Sequence, residues 1–198
     1  MKLWIKILIS VLVVVIVGGA LGYGLTYTVG KAVYESNAVH NRAWTTNLLQ
    51  GSTVQDPYLR YVISVWAVMA LPRQETIYFG TDRTDKGEEL LCQYDYMMEG
   101  NKDIDTRWWS ITVYDEGGWL IPNPGDLYSI NSNTIKTDPD GKYRIYLSRT
   151  EKEGNWLPLG GSKKFQMNFR CYNPGVSIFN APGKVELPGI TRVEEAGK

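Results

Sequence analysis

Three patterns of apolar and polar positions follow one another along the chain. From Ile7 to Gly30 no charge interrupts an apolar run of about 24 residues, with Lys2 and Lys6 before it and Lys31 after it. As a helix this run is about 36 Å long, enough to cross a hydrocarbon core of about 30 Å. Between Lys31 and Gln50, the residues Tyr34, Ala38, Trp44 and Leu48 recur at near-helical spacing among Glu35, Asn37, Asn41 and Arg42. That spacing predicts an amphipathic helical connector over residues 31–54. Asp56-Pro57 then supplies an N-cap and a proline at the first helical position. Leu59, Val62, Ile63, Trp66, Met69 and Ala70 form an apolar stripe that ends at Pro72.

After Pro72 the period falls to two. TIYFGT (76–81), LLCQYDY (90–96), RWWSITVYD (107–115), LYSI (127–130), KYRIYLS (142–148) and KFQMNFRCY (164–172) read as short strands. Turn signals separate them: Asp82 to Gly87, Gly117-Gly118, Asp138-Pro139-Asp140-Gly141 and Gly160-Gly161. No helical crossover lies between these strands. They therefore predict a mainly β fold, a jelly-roll-like antiparallel β-sandwich over residues 55–198 with one or two packed helices, preceded by a single transmembrane helix over residues 1–30.

The apolar run has two readings, a cleaved secretory signal and a retained anchor. Gly18 and Ala20 can serve a cleavage site, but a signal's apolar region is usually about 7 to 15 residues, and length favours the anchor. Trp4, Tyr23 and Tyr27 stand near its ends as interfacial rings, and Lys2, Lys6 and the amino terminus, set against Lys31 and Arg42 across the span, favour an amino terminus inside. Gly18 with Gly22, and Ala20 with Gly24, have small-xxx-small spacing, which lets a second helix approach closely. Glycine is also common in membrane helices without any such partner.

Composition narrows the functions. Lys plus Arg and Asp plus Glu both count 21, so no basic surplus exists to neutralise phosphates, and no nucleic-acid partner is expected. His40 is the only histidine, and none of the Gly-x-Ser-x-Gly, phosphate-loop, His-Glu-x-x-His or Cys-x-x-Cys motifs occurs. No catalytic set, metal site or cofactor is expected, and the acids between Glu75 and Asp140 lie mainly in turns. Cys92 and Cys171 fall on two predicted strands. A disulfide and a pair of buried free thiols are both open, since Cys171 shares parity with Phe165, Met167 and Phe169.

The ordered motifs DPYLRYVISVWAVMALPRQETIYFGTD, RWWSITVYD, DPDGKYRIYLS and NWLPLGGSKKFQMNFRCYNP resemble a bacterial domain-of-unknown-function family, the one numbered twelve-fourteen. The resemblance covers roughly residues 55 to 182. Trp108 stands where the family has Phe, and NKDIDTR (101–107) replaces a proline-rich lead-in. The resemblance implies a jelly-roll-like envelope domain, here in a single-domain form behind a membrane anchor, with no activity attached. The expected location is the bacterial inner membrane, single-pass, with a cytoplasmic N-terminus and a periplasmic domain.

Trp108, Trp109, Trp119 and Trp156, with Asn155 and Arg170, are the residues from which a carbohydrate- or peptide-binding face can be built. The competing reading is packing, because adjacent Trp108 and Trp109 point to opposite sides of a strand. Asn155-Trp156-Leu157-Pro158 is expected to form a structural corner, with Asn155 satisfying backbone groups and Pro158 stopping the ladder. These features predict a membrane-anchored binding or scaffold domain, an accessory subunit touching the bilayer and other membrane subunits. The alternative is an envelope glycan-binding protein or glycan-acting enzyme.

Overall fold

The computed structural model describes residues 2–66 and 70–193. Met69 of the predicted stripe, the side chain of Trp66 and the segment beyond Val193 lie outside them. The apolar run forms helix α1 (Leu3–Ser36), 34 residues long and mostly exposed, with Gly30 buried. It is long and apolar enough to cross a membrane.

The predicted connector is corrected. Helix α1 stops at Ser36, where Asn37 folds back to donate from Nδ2 to the Val33 carbonyl at 2.9 Å. Residues 38–47 then form an antiparallel hairpin of β1 (Ala38–Asn41) and β2 (Trp44–Asn47), turning at Arg42 with φ +56°. Trp44 is what overrides the helical pattern. Its side chain is fully buried, with Nε1 donating to the Pro188 carbonyl at 2.8 Å, and β-branched neighbours favour the extended chain. Helix α2 (Pro57–Trp66) follows, and Asp56 Oδ1 accepts from the Tyr58 amide at 2.8 Å as its N-cap.

The remaining strands are β3 (Thr76–Thr81), β4 (Tyr96–Asn101), β5 (Thr106–Asp115), β6 (Ser129–Asn131), β7 (Lys142–Ser148), β8 (Asn155–Pro158), β9 (Phe165–Pro174) and β10 (Gly189–Arg192), with the short helix α3 (Val176–Asn180) before β10. They make two sheets, ordered β1-β2-β3-β9-β5-β6 and β10-β4-β7-β8. All pairings are antiparallel except β7 with β8. LLCQYDY is mostly turn rather than strand, because the Tyr96 hydroxyl reaches back to accept from the Leu91 amide at 2.9 Å, and the ladder starts only at Tyr96.

The core lies between the sheets. The inward parity of β3, β5 and β9 contributes Ile77, Phe79, Trp109, Ile111, Val113, Phe165, Met167, Phe169 and Cys171. The facing sheet supplies Tyr96, Met98, Tyr143, Ile145, Leu147, Leu157 and Ile190. Trp109 stacks on Phe169 with ring centroids 5.4 Å apart, whereas Trp108 points outward against Tyr172 at 5.0 Å.

The disulfide is corrected too, since Cys92 and Cys171 are both free and buried. Leu91 bridges Lys164, and Cys171 lies seven residues further along β9, about 23 Å at the rise of a strand and far beyond disulfide reach. Burial pushes the Cys92 thiol up to about 11 and raises that of Cys171 as well. A thiol-specific chromogenic reagent should therefore titrate neither cysteine in the native protein and both after unfolding in guanidinium. Fast reaction of either in the native state would contradict this placement.

Candidate functional site

The same alternation that fills the core decorates the outer face of the six-stranded sheet. Tyr78 of β3 pairs with Arg170 of β9, and Arg170 with Ser110 of β5. One step along, Gly80, Asn168 and Thr112 are aligned, and beyond them Gln166 and Tyr114. The β1–β2 hairpin continues the sheet beyond β3, and helices α1 and α2 stand over its outer face. Between them and the sheet lies a cleft of about 660 Å³, within the range of small-molecule sites.

Arg170 is the centre of the floor. Its Nη1 donates to Thr112 Oγ1 at 2.9 Å, its Nη2 donates to the Tyr114 hydroxyl, and the guanidinium lies 5.5 Å from the Tyr114 ring centroid. No carboxylate lies within 4.0 Å of it among the described residues. Tyr78 adds a hydroxyl that accepts from the Leu71 amide at 3.0 Å. On the hairpin side Arg42 pairs with Asp85 Oδ2, which also accepts from the Ile190 amide at 3.2 Å. His40 Nε2 lies 3.9 Å from Glu35 Oε2, with His40 Nδ1 at 3.1 Å from Thr45 Oγ1.

The wall of the cleft is set by a close helix crossing. Gly30 of α1 packs under α2 so tightly that a methyl group there would sit 2.5 Å from Val62 Cγ2 and 3.2 Å from the Tyr58 carbonyl oxygen. Tyr61 of α2 lies beside Tyr23 of α1. Asn47 at the end of the hairpin donates from Nδ2 to the Tyr34 carbonyl at 3.0 Å. Helix α1 is thereby packed on α2 and tied by one hydrogen bond to the end of the hairpin.

Of the residues proposed for an aromatic binding face, Arg170 alone lines this cleft. Trp108 is on the same outer face but packs on Tyr172, Trp109 is in the core, and Asn155 and Trp156 belong to the other sheet. There the NWLP segment closes an edge. Asn155 Oδ1 accepts from the Lys136 amide, and its Nδ2 donates to the carbonyls of Lys136 and Arg144, each at 2.8 Å. Trp156 Nε1 donates to the Ser148 carbonyl at 3.0 Å, and Pro158 ends the strand at the sheet edge, where the ladder needs no donor. Trp119 is 75% exposed in the turn after β5. Gly18, Gly22 and Gly24 have nothing packed within 4 Å, and Ala20 is exposed beside them. Tyr78, Tyr114 and Arg42 carry no sequence signal of a site, since only strand register and the hairpin bring them to the cleft of Arg170. No grouping of three or more His, Cys, Asp or Glu side chains able to hold a metal ion occurs among the described residues.

A two-sheet β domain fused to an apolar helix that is a candidate membrane span defines the class of protein. Residues 75–176, more than half of the chain, match the family described as protein of unknown function (DUF1214), and the chain belongs to that family. It is similar to the VPA0106 protein from Vibrio parahaemolyticus at 30% identity and a TM-score of 0.56, over 63% of this chain and 32% of that one. It is also similar to an uncharacterized protein from Burkholderia cenocepacia at 13% identity and a TM-score of 0.47, over 60% of this chain and 30% of that one. The chain thus spans about a third of the length of these solved structures. No curated protein matches it.

Two substitutions separate the structural parts of this arrangement. Asn155→Leu strands the amide of Lys136 and the carbonyl of Arg144, and should cost about 1–3 kcal/mol of domain stability in a denaturant titration. A change below a few tenths would show that water replaces the amide. Gly30→Ala forces α2 off α1 and should cost about 1–3 kcal/mol in the same experiment in detergent; an unchanged midpoint would mean that the crossing is loose.

Proposed function

We propose that this chain is a single-span membrane protein whose β-sandwich acts outside the cytoplasmic membrane as a binding domain, an accessory subunit of a larger membrane complex. The observation that carries the reading is the packing of α1 on α2 and its hydrogen bond to the hairpin. Gly30 under Val62 joins α1 to α2, and the Tyr34 carbonyl that accepts from Asn47 joins α1 to the hairpin at the edge of the sheet, which supports a set orientation of the domain over the bilayer. A catalytic domain acting on diffusing substrates works as well on a flexible tether, whereas a subunit that must meet a neighbour needs a fixed orientation. The bare face at Gly18, Gly22 and Gly24 supports it further, because in lipid small residues allow the backbone approach that drives helix association. The positions of Lys2 and Lys6 support an amino terminus inside.

Purification of the tagged full chain in mild detergent should bring down at least one other membrane protein in stoichiometric amount. Gly18→Leu with Gly22→Leu should remove that protein while leaving the far-ultraviolet circular dichroism of the domain unchanged. Protease added to spheroplasts should cut the domain. A lone chain from native membranes, or a domain cut only after membrane lysis, would overturn the proposal.

A further inference from the structure

We propose that the cleft over the outer face of the six-stranded sheet binds the anionic head of a membrane phospholipid, with Arg170 as its anchor. The inference rests on α1 crossing the bilayer; it does not depend on any partner subunit.

The chemistry of the floor selects an anion. Thr112 Oγ1 and the Tyr114 hydroxyl both accept from Arg170, and the Tyr78 hydroxyl accepts from the Leu71 amide. A hydroxyl that accepts in this way keeps its own hydrogen to give, so Tyr78 and Tyr114 present donors to the cleft. Arg170 still has N–H groups to spare after its two bonds. The Arg170 fork matches two oxygens of a phosphate. Around this floor, Asp85 is matched by Arg42 and Asp82 by Arg83 at 3.6 Å, and Lys31, Arg42, Arg83 and Arg170 outnumber Glu35, Asp82 and Asp85 by one. Lys31 and Arg170 are left with no carboxylate within 4.0 Å, among the described residues.

Position then selects a lipid. Lys31 lies one helical turn beyond Tyr27, about 6 Å along α1, and the polar layer of a bilayer is about 5–7 Å deep on each side of its hydrocarbon. The mouth of the cleft at Lys31, Tyr34 and Glu35 therefore opens at headgroup level. Val62 and Ile63 of α2 form an apolar wall on the same side, fitted to the start of an acyl chain rather than to a fully hydrated ion. The shared chemistry is a phosphate group, and the remaining choice is between a lipid headgroup and free phosphate.

The full chain in an uncharged detergent is titrated with dioctanoyl phosphatidylglycerol, and separately with inorganic phosphate, by native mass spectrometry and calorimetry. Expected is a saturable one-to-one lipid complex, weakened at least tenfold by Arg170→Gln and a few-fold by Tyr114→Phe. Arg144→Gln, on the other sheet and paired with Glu99, should leave it unchanged. Inorganic phosphate should compete only at concentrations at least a hundredfold higher. If Arg170→Gln unfolds the domain by circular dichroism, Arg170→Lys and Tyr114→Phe carry the test, since the lysine keeps the charge and loses the fork. Lipid affinity equal in wild type and these variants, or the absence of a saturable complex, overturns the proposal. Inorganic phosphate binding as tightly as the lipid overturns the lipid assignment. Loss of a co-purifying subunit with retained lipid binding leaves it standing.

Discussion

Strand β9 runs through the middle of the larger sheet, between β3 and β5, and its strict alternation has to satisfy two environments at once. Phe165, Met167, Phe169 and Cys171 go to the core, while Gln166, Asn168, Arg170 and Tyr172 go to the outer face. Because the period is two, a one-residue slip would place Arg170 against Trp109 and put Phe169 in the cleft. Burial of the apolar set, at about 25 cal/mol per Å², is what keeps the polar set aimed outward. The cleft and the core are thus held in register by the same strand.

The second constraint is the crossing of α1 and α2 at Gly30. A glycine in a helix interior costs up to about 1 kcal/mol relative to alanine, so its place must be justified by a contact, and Val62 and the Tyr58 carbonyl are that contact. It differs from Gly18, Gly22 and Gly24, which touch nothing within the chain. One helix therefore carries two kinds of glycine: one that joins it to its own domain, and an N-terminal group that lies open in the apolar span. The domain side of this division is what roofs the cleft.

Much of the sandwich was legible from alternation. TIYFGT, RWWSITVYD, KYRIYLS and KFQMNFRCY became β3, β5, β7 and β9 with boundaries close to those expected. What failed were short segments whose state is decided by distant partners. Residues 38–47 read as helix because four apolar positions fit its spacing, yet Trp44 is fixed by a bond to Pro188 that no local pattern contains. NWLP has the local pattern of a corner, yet it is an edge strand. Its asparagine does satisfy backbone groups, those of Lys136 and Arg144, but the parallel pairing with β7 depends on how the chain reverses between residues 149 and 154. Arg170 was legible as a polar residue of opposite parity to the core, while its companions Tyr78 and Tyr114 are nearly a hundred and about 56 residues away in sequence and meet it only through cross-strand register.

The placement of the charges explains why a chain of zero net charge can still hold a site for an anion. Exposed ion pairs such as Arg144–Glu99 and Lys164–Glu89 cancel at short range and are screened by solvent, so they leave little field behind. Arg170 is different because its immediate partners are neutral hydroxyls on a half-buried sheet face. They orient the guanidinium without neutralising it, and the low-polarity walls of Val62 and Ile63 reduce the screening of its charge. A carboxylate in place of Thr112 would bind Arg170 more strongly and would close the site to any other anion. The hydroxyls hold the cation in place and leave it available.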